Sequence, residues 1–254
     1  MVNKLLIILA LFGLPALAAA AVATPAALQA DIPAGWQPLL YAAGDLNGDG
    51  RADAVMIIQQ QNPALRLQND GFGMKILDTN PRRLLVWLRE GGGYRLLVQS
   101  RDGLIPAAAS AESPCEADPL DSVMDSGLSI RRGSIYLTLA YWYSCGSWGT
   151  QSQTYQLRHQ RGSIRLIGLE QRDFSRNTHD ETRISVNFIT GQIRQTGGIN
   201  LDDPERHRPR TTWSRLKQQP DTDLRTMTRW PQVFTGDEEY SRRNEILIQG
   251  EPTP

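Results

Sequence analysis

The segment from Ile135 to Tyr143 alternates without a break. Ile135, Leu137, Leu139, Tyr141 and Tyr143 take one parity, and Tyr136, Thr138, Ala140 and Trp142 take the other. A period of two with aromatic and β-branched enrichment predicts a half-buried strand. "RLLVWLREGGGYRLLVQS" predicts two strands joined by the turn from Glu90 to Gly93, and "QTYQLRHQRGSIRLIGLEQ" repeats the arrangement around Arg161-Gly162-Ser163. "RISVNFITGQIRQT" adds a third hairpin, in which Ile184, Val186 and Phe188 alternate with Ser185 and Asn187. No comparable stretch carries a long stripe at helical spacing. Turn signals recur every eight to fifteen residues. The pattern predicts an all-β antiparallel meander over residues 31–196, either a sandwich or a partial propeller.

Two stretches interrupt it. Residues 59–80 read as an exposed excursion with turns at Gly71 and Gly73, and residues 107–126 as a long loop containing Cys115. Residues 197–236 are polar, charge-balanced and broken by prolines. They predict an extended arm with one short helix, pinned to the domain by Trp213, Leu216, Leu224, Met227 and Trp230. Residues 237–254 read as a flexible tail.

The N-terminus differs in kind. Lys4, the apolar run Leu5–Leu17 and the alanines of 18–23 have the order of a secretory signal peptide over residues 1–23, with cleavage after Ala20 or Ala23. The run is shorter than the roughly 20 residues of a spanning helix. The expected location is the periplasm or the outside of the cell, with no membrane span after signal removal. Export makes Cys115 and Cys145, thirty positions apart, read as a disulfide rather than two free thiols. Such a closure is worth roughly 3 kcal/mol. Three scattered histidines add no zinc spacing. The 27 basic and 27 acidic side chains leave no basic field for nucleic acid.

One turn carries chemistry of its own. In "GDLNGDGRADAVMII", Asp45, Asn47 and Asp49 hold positions 1, 3 and 5 of a D-x-N-x-D-G loop, with Gly50 at the turn. The Arg51 carbonyl and Asp53 follow at positions 7 and 9. Calcium takes six to eight hard oxygens, and this spacing wraps oxygens around one point. The alternative is a metal-free Asx-type turn. An EF-hand is excluded, because Met56 stands where the bidentate Glu belongs and an apolar strand follows. The stretch resembles the calcium loop of FG-GAP repeats (integrin α N-terminal-like, VCBS-type). That resemblance implies calcium held by Asp45, Asn47, Asp49 and Asp53 with the Arg51 carbonyl, in a turn between two strands. No second copy of the loop occurs in the chain. More loosely, the chain is similar to exported bacterial proteins that pair one such loop with a β domain.

Familiar catalytic motifs are missing. "YSCGSWG" lacks the cysteine directly before the tryptophan that papain-like proteases carry, and no G-x-S-x-G, H-E-x-x-H or P-loop occurs. "THDET" places His179, Asp180 and Glu181 in what reads as a solvated loop. Tyr141, Trp142, Tyr143 and Trp148 cluster at a strand end, either as core aromatics or as a recognition edge led by Trp142 and Trp148. The expected function is an exported, calcium-stabilised binding module for a protein or glycan partner, in its specific form an inhibitor or immunity protein. The rival is a hydrolase of cell-wall or extracellular polymer, with Asp180 or Glu181 opposite Asp173.

Overall fold

The computed structural model describes residues 24–120, 127–205 and 208–231, with the backbone of 250–252. The expected signal peptide and most of the expected tail lie outside these residues. The fold is all-β and antiparallel. Strands β1 (Trp36–Gly44), β2 (Asp53–Gln60), β5 (Arg82–Glu90) and β6 (Gly93–Gln99) form a four-stranded sheet in the order β1-β2-β5-β6, and the hairpin of β3 (Arg66–Gln68) and β4 (Ile76–Asp78) projects between β2 and β5 in the chain. Next come β7 (Gly127–Arg131), β8 (Ser134–Trp142), β9 (Gly149–Gln160), β10 (Ser163–Ser175), β11 (Asp180–Asn187), β12 (Gln192–Asn200), β13 (Arg210–Leu216) and β14 (Gly250–Pro252). They build an eight-stranded sheet in which chain order and spatial order agree.

The three hairpins expected from the sequence are present, and local chemistry explains their turns. Arg161 and Gly162 between β9 and β10 both take positive φ, 49° and 74°, as do Arg132 and Gly133 between β7 and β8. Two left-handed residues in succession make the type I′ turn whose twist matches that of the flanking strands.

The two sheets share one core, which identifies the sandwich. Val55, Ile57, Leu84 and Val86 of the small sheet pack in one cluster with Ile135, Leu137, Leu139, Tyr155, Leu157 and Leu169 of the large one. The small sheet is also buried on its second face, which explains the uninterrupted apolar run of β2. Ala54, Met56, Ile58, Leu85 and Trp87 pack there against Leu28, from a 3-10 turn at Ala26–Asp31. The Trp87 Nε1–H donates to Asp31 Oδ2 at 2.7 Å. The packed domain therefore begins before residue 31.

The expected arm is extended, but the short helix expected within it is absent among the described residues. Arg210–Leu216 adds a strand to the free edge of β12, and no helix occurs in 197–205 or 208–231. Thr211, Thr212 and Trp213 favour a pleated edge over a helix. Leu224, Met227 and Trp230 enter the core, where the Trp230 ring stacks on Tyr155 at 4.1 Å between centroids. Trp213 instead lies exposed.

Two fastenings join the sheets through the segment that follows residue 107. Cys115 and Cys145 form a disulfide that ties this loop to the chain just beyond β8. Backbone bonds from Ala117 N to Trp142 O and from Ala140 N to Pro119 O lay the loop along the β8 edge beyond the end of β7. From the small sheet, the buried Arg82 guanidinium forks onto Asp118, with Nη1 to Oδ1 at 2.7 Å. The same guanidinium donates to Gln59 Oε1 and the Pro106 carbonyl. At the opposite end, β1 meets β7: a methyl group at Gly44 would stand 2.7 Å from Ile130 Cγ2.

Two consequences can be measured by urea unfolding. Arg82→Met should destabilise the domain by about 3 kcal/mol, the low end for a broken buried pair, because the Asp118 side chain keeps 20% exposure. The double variant Arg82→Met/Asp118→Leu should recover most of that loss, and no recovery would mean the fork is not what Arg82 contributes. Gly44→Ala should cost about 1–3 kcal/mol by overpacking against Ile130, and an unchanged midpoint would show that the β1–β7 contact is loose.

Candidate functional site

The acidic turn bridges β1 and β2, whose ends pair at Gly44 and Asp53. Asp45 is its hub. Its Oδ1 accepts from Gly48 N at 2.7 Å and Asn47 N at 3.2 Å, and its Oδ2 accepts from Gly50 N at 2.8 Å. Asn47 Oδ1 accepts from Asp49 N, and Asp49 Oδ1 accepts from Arg51 N. Positive φ at Gly48 (82°) and Gly50 (79°) lets the backbone fold back on these side chains. The inward amides, Gly50 first and Gly48 second, hold the Asp45 carboxyl below its ordinary pKa.

The predicted ligands divide into two groups. Asp45, Asn47 and Asp49 come together, and Asn47 Nδ2 lies 3.2 Å from Asp49 Oδ2. Asp53 is buried and spends its carboxylate on backbone: Oδ2 accepts from Leu46 N at 2.7 Å and Oδ1 from Arg89 N at 2.8 Å. It staples the turn to the neighbouring strand β5. Leu46, inside the turn, enters the main core. Among the described residues no three His, Cys, Asp or Glu side chains are grouped to hold a metal ion. A calcium ion here would therefore draw on Asp45, Asn47 and Asp49 together with main-chain carbonyls, Arg51 among them, and water.

The aromatic cluster sits at the disulfide end of the large sheet. Trp148 is 58% exposed, whereas Trp142 is half-buried. The Arg176 guanidinium stacks 3.8 Å from the Trp142 ring and 5.8 Å from the Trp148 ring. It also donates to the carbonyls of Tyr143, Ser147 and Trp148. Arg176 thus closes the 143–148 turn, with Cys145 as its covalent anchor. Leu137 and Leu139 are fully buried, and Tyr141 is partly exposed.

"THDET" is not the solvated loop expected from its polarity. Asp180 opens β11, and Glu181 is buried between the guanidinium groups of Arg172 and Arg183. His179 bonds Asp202 and stacks on Phe174. Asp173 stands opposite Thr182, and Phe174 opposite Glu181. Strand alternation therefore sends the side chains of Asp173 and Glu181 to opposite faces of the sheet, although both residues border one groove at the strand ends. Asp180, two residues before Thr182, returns to the face of Asp173.

One group escaped the sequence reading. Gln151, Gln153, Gln171 and Asp173 form a polar ladder that ends at the Tyr155 hydroxyl. Its signal is the alternation in "QSQTYQL", where the inward parity of β9 changes from Leu157 and Tyr155 to Gln153 and Gln151.

No helix among the described residues is long and apolar enough to cross a membrane. No protein-family model, curated protein or solved structure matches this chain.

Proposed function

We propose that this chain is an exported β-sandwich that uses a calcium-stabilised turn to brace a binding module, with a protein or glycan as partner in the periplasm or outside the cell. The observation that carries the reading is the closure of the turn on Asp45, Asn47 and Asp49. Between them these three side chains accept all five backbone amides of residues 47–51. Each carboxylate retains lone pairs after those bonds. The like charges of Asp45 and Asp49 in one tight turn are best offset by a cation. The resemblance to FG-GAP loops and the leader-like N-terminus support the same reading.

The partner surface in this proposal is the disulfide end of the large sheet. Trp148 offers a large exposed ring on a turn held by Arg176 and Cys145, so little ordering is required on binding. An inhibitor or immunity role is the specific form of this reading. Asp173 and Glu181 face apart, so the geometry gives the hydrolase reading no opposed pair from these two acids.

Calcium should raise the melting midpoint of the mature domain, by an increment equivalent to about 2.7 kcal/mol at a hundredfold excess over Kd. Asp45→Ala also removes amide acceptors, so the quantity to compare is the calcium increment, which should vanish in that variant and in Asp49→Ala. Identical wild-type curves in calcium and in chelator would show a turn closed by hydrogen bonds alone.

Trp148→Ala should cost no more than about 1 kcal/mol of fold stability, the scale of an exposed cation–π contact. A loss near 3 kcal/mol in urea unfolding, as for a core tryptophan, would remove Trp148 from the binding surface.

A further inference from the structure

The inner face of the large sheet changes chemistry along the strand axis. One row across β8, β9, β10 and β11 reads Leu137, Tyr155, Leu169 and Val186, all buried. Two residues further along, the row reads Leu139, Gln153, Gln171 and Ile184. The next reads Tyr141, Gln151, Asp173 and Thr182, all partly exposed. The same pleat therefore runs from apolar core to polar platform within four residues of each strand.

The platform is held rigid from beneath. Gln151 Nε2 donates to Asp173 Oδ1 at 2.6 Å and Gln171 Nε2 to Asp173 Oδ2 at 2.8 Å. Gln153 Nε2 donates to Gln171 Oε1 at 3.1 Å, and the Tyr155 hydroxyl to Gln153 Oε1 at 2.7 Å. Above this ladder lies an open groove of about 380 Å³, lined in part by Tyr143, Gln151, Asp173, Asp180, Glu181 and Thr182. Among the described residues the hydroxyl of Thr182 makes no hydrogen bond.

We infer that this groove binds an uncharged saccharide chain. The inference deepens the binding reading above and rests on it, but not on the calcium turn, which lies on the other sheet. Sugar rings present dense hydroxyls that both donate and accept. The groove offers matching groups in fixed positions: the Asp173 carboxylate oriented by two amides, the free Gln151 carbonyl, and the Thr182 hydroxyl, able to turn either way. The half-buried Tyr143 ring, which lines the groove, adds an apolar surface against which the C–H face of a sugar can rest. The volume falls within the range of small-ligand sites. Charge narrows the class. Asp173, Asp180 and Glu181 border the groove, and Arg172 and Arg183 are engaged with Glu181. Uronate and sulfated chains therefore meet repulsion. A protein partner would prefer a centre depleted of charge and amide groups, and the ladder is the reverse of that.

The test is an amide-resolved NMR titration of the mature, disulfide-bonded chain. The probes are the hexamers of N-acetylglucosamine, β-1,4-glucose and α-1,4-glucose, with oligogalacturonate as the acidic comparison. At least one neutral hexamer should bind in the millimolar range or tighter, shifting the amides of Gln151, Asp173 and Thr182, and oligogalacturonate should not. Thr182→Val keeps the shape and removes only a hydroxyl. It should weaken binding about tenfold with an unchanged melting midpoint. If that variant fails to fold, Tyr143→Ala should weaken binding in the same direction. No shift with any neutral hexamer at about 5 mM overturns the inference, as does equal binding of oligogalacturonate or a shift map away from this row. Any of these leaves the calcium increment in melting untouched, so failure of the saccharide assignment and failure of the calcium reading are read separately.

Discussion

A guanidinium taken out of water must have its donors satisfied on all sides, and Arg82 meets that requirement with groups from separate parts of the chain. Gln59 lies on the neighbouring strand, while Asp118 and the Pro106 carbonyl lie in the loop that runs to the large sheet. Removing either partner group leaves an unpaired charge, so the loop cannot drift without a penalty. The disulfide then fixes the same loop to the end of β8. Arg82 acts from the small sheet and Cys145 from the large one, and the short stretch 115–118 carries both. The relative placement of the sheets at this end follows from that stretch.

That placement gives the free end of the large sheet its character. The small sheet covers the central rows, where Leu137, Tyr155 and Leu169 lie in the shared core. Toward the strand ends the inward parity turns to glutamine, aspartate and threonine, and the ladder satisfies the amides of Gln153 and Gln171, which are still buried. On the other face Arg176 closes the tryptophan turn, and Glu181 gathers two arginines. Both faces of this end are thus rigid and polar, with aromatic rings at the margin. A rigid polar surface loses little conformational entropy when a ligand settles on it.

The hairpins were legible in the sequence because alternation and turn chemistry are local. The Arg161-Gly162 turn and the strands beside it need no distant partner to declare themselves. What alternation cannot reveal is what lies over each face. The β2 run from Ala54 to Ile58 announces burial on both sides, but only the fold shows Leu28 and Trp87 on the second. The polar ladder is a row across four strands, and a row exists only once the register is set. "THDET" misled because its polarity looks like solvation, whereas Glu181 is buried on charge pairing. The acidic turn was the most legible feature, since its spacing over residues 45–53 is itself the structure. Even there, only the fold shows that the Asp53 carboxylate also ties the turn to β5.

The account stands on a cation in that turn. Crystals of the mature domain grown with calcium and measured at long wavelength would show it directly. The account predicts an anomalous peak about 2.4 Å from side-chain oxygens of Asp45, Asn47 and Asp49. A turn closed only by its own amides and water, in a crystal grown with calcium in excess, would contradict it.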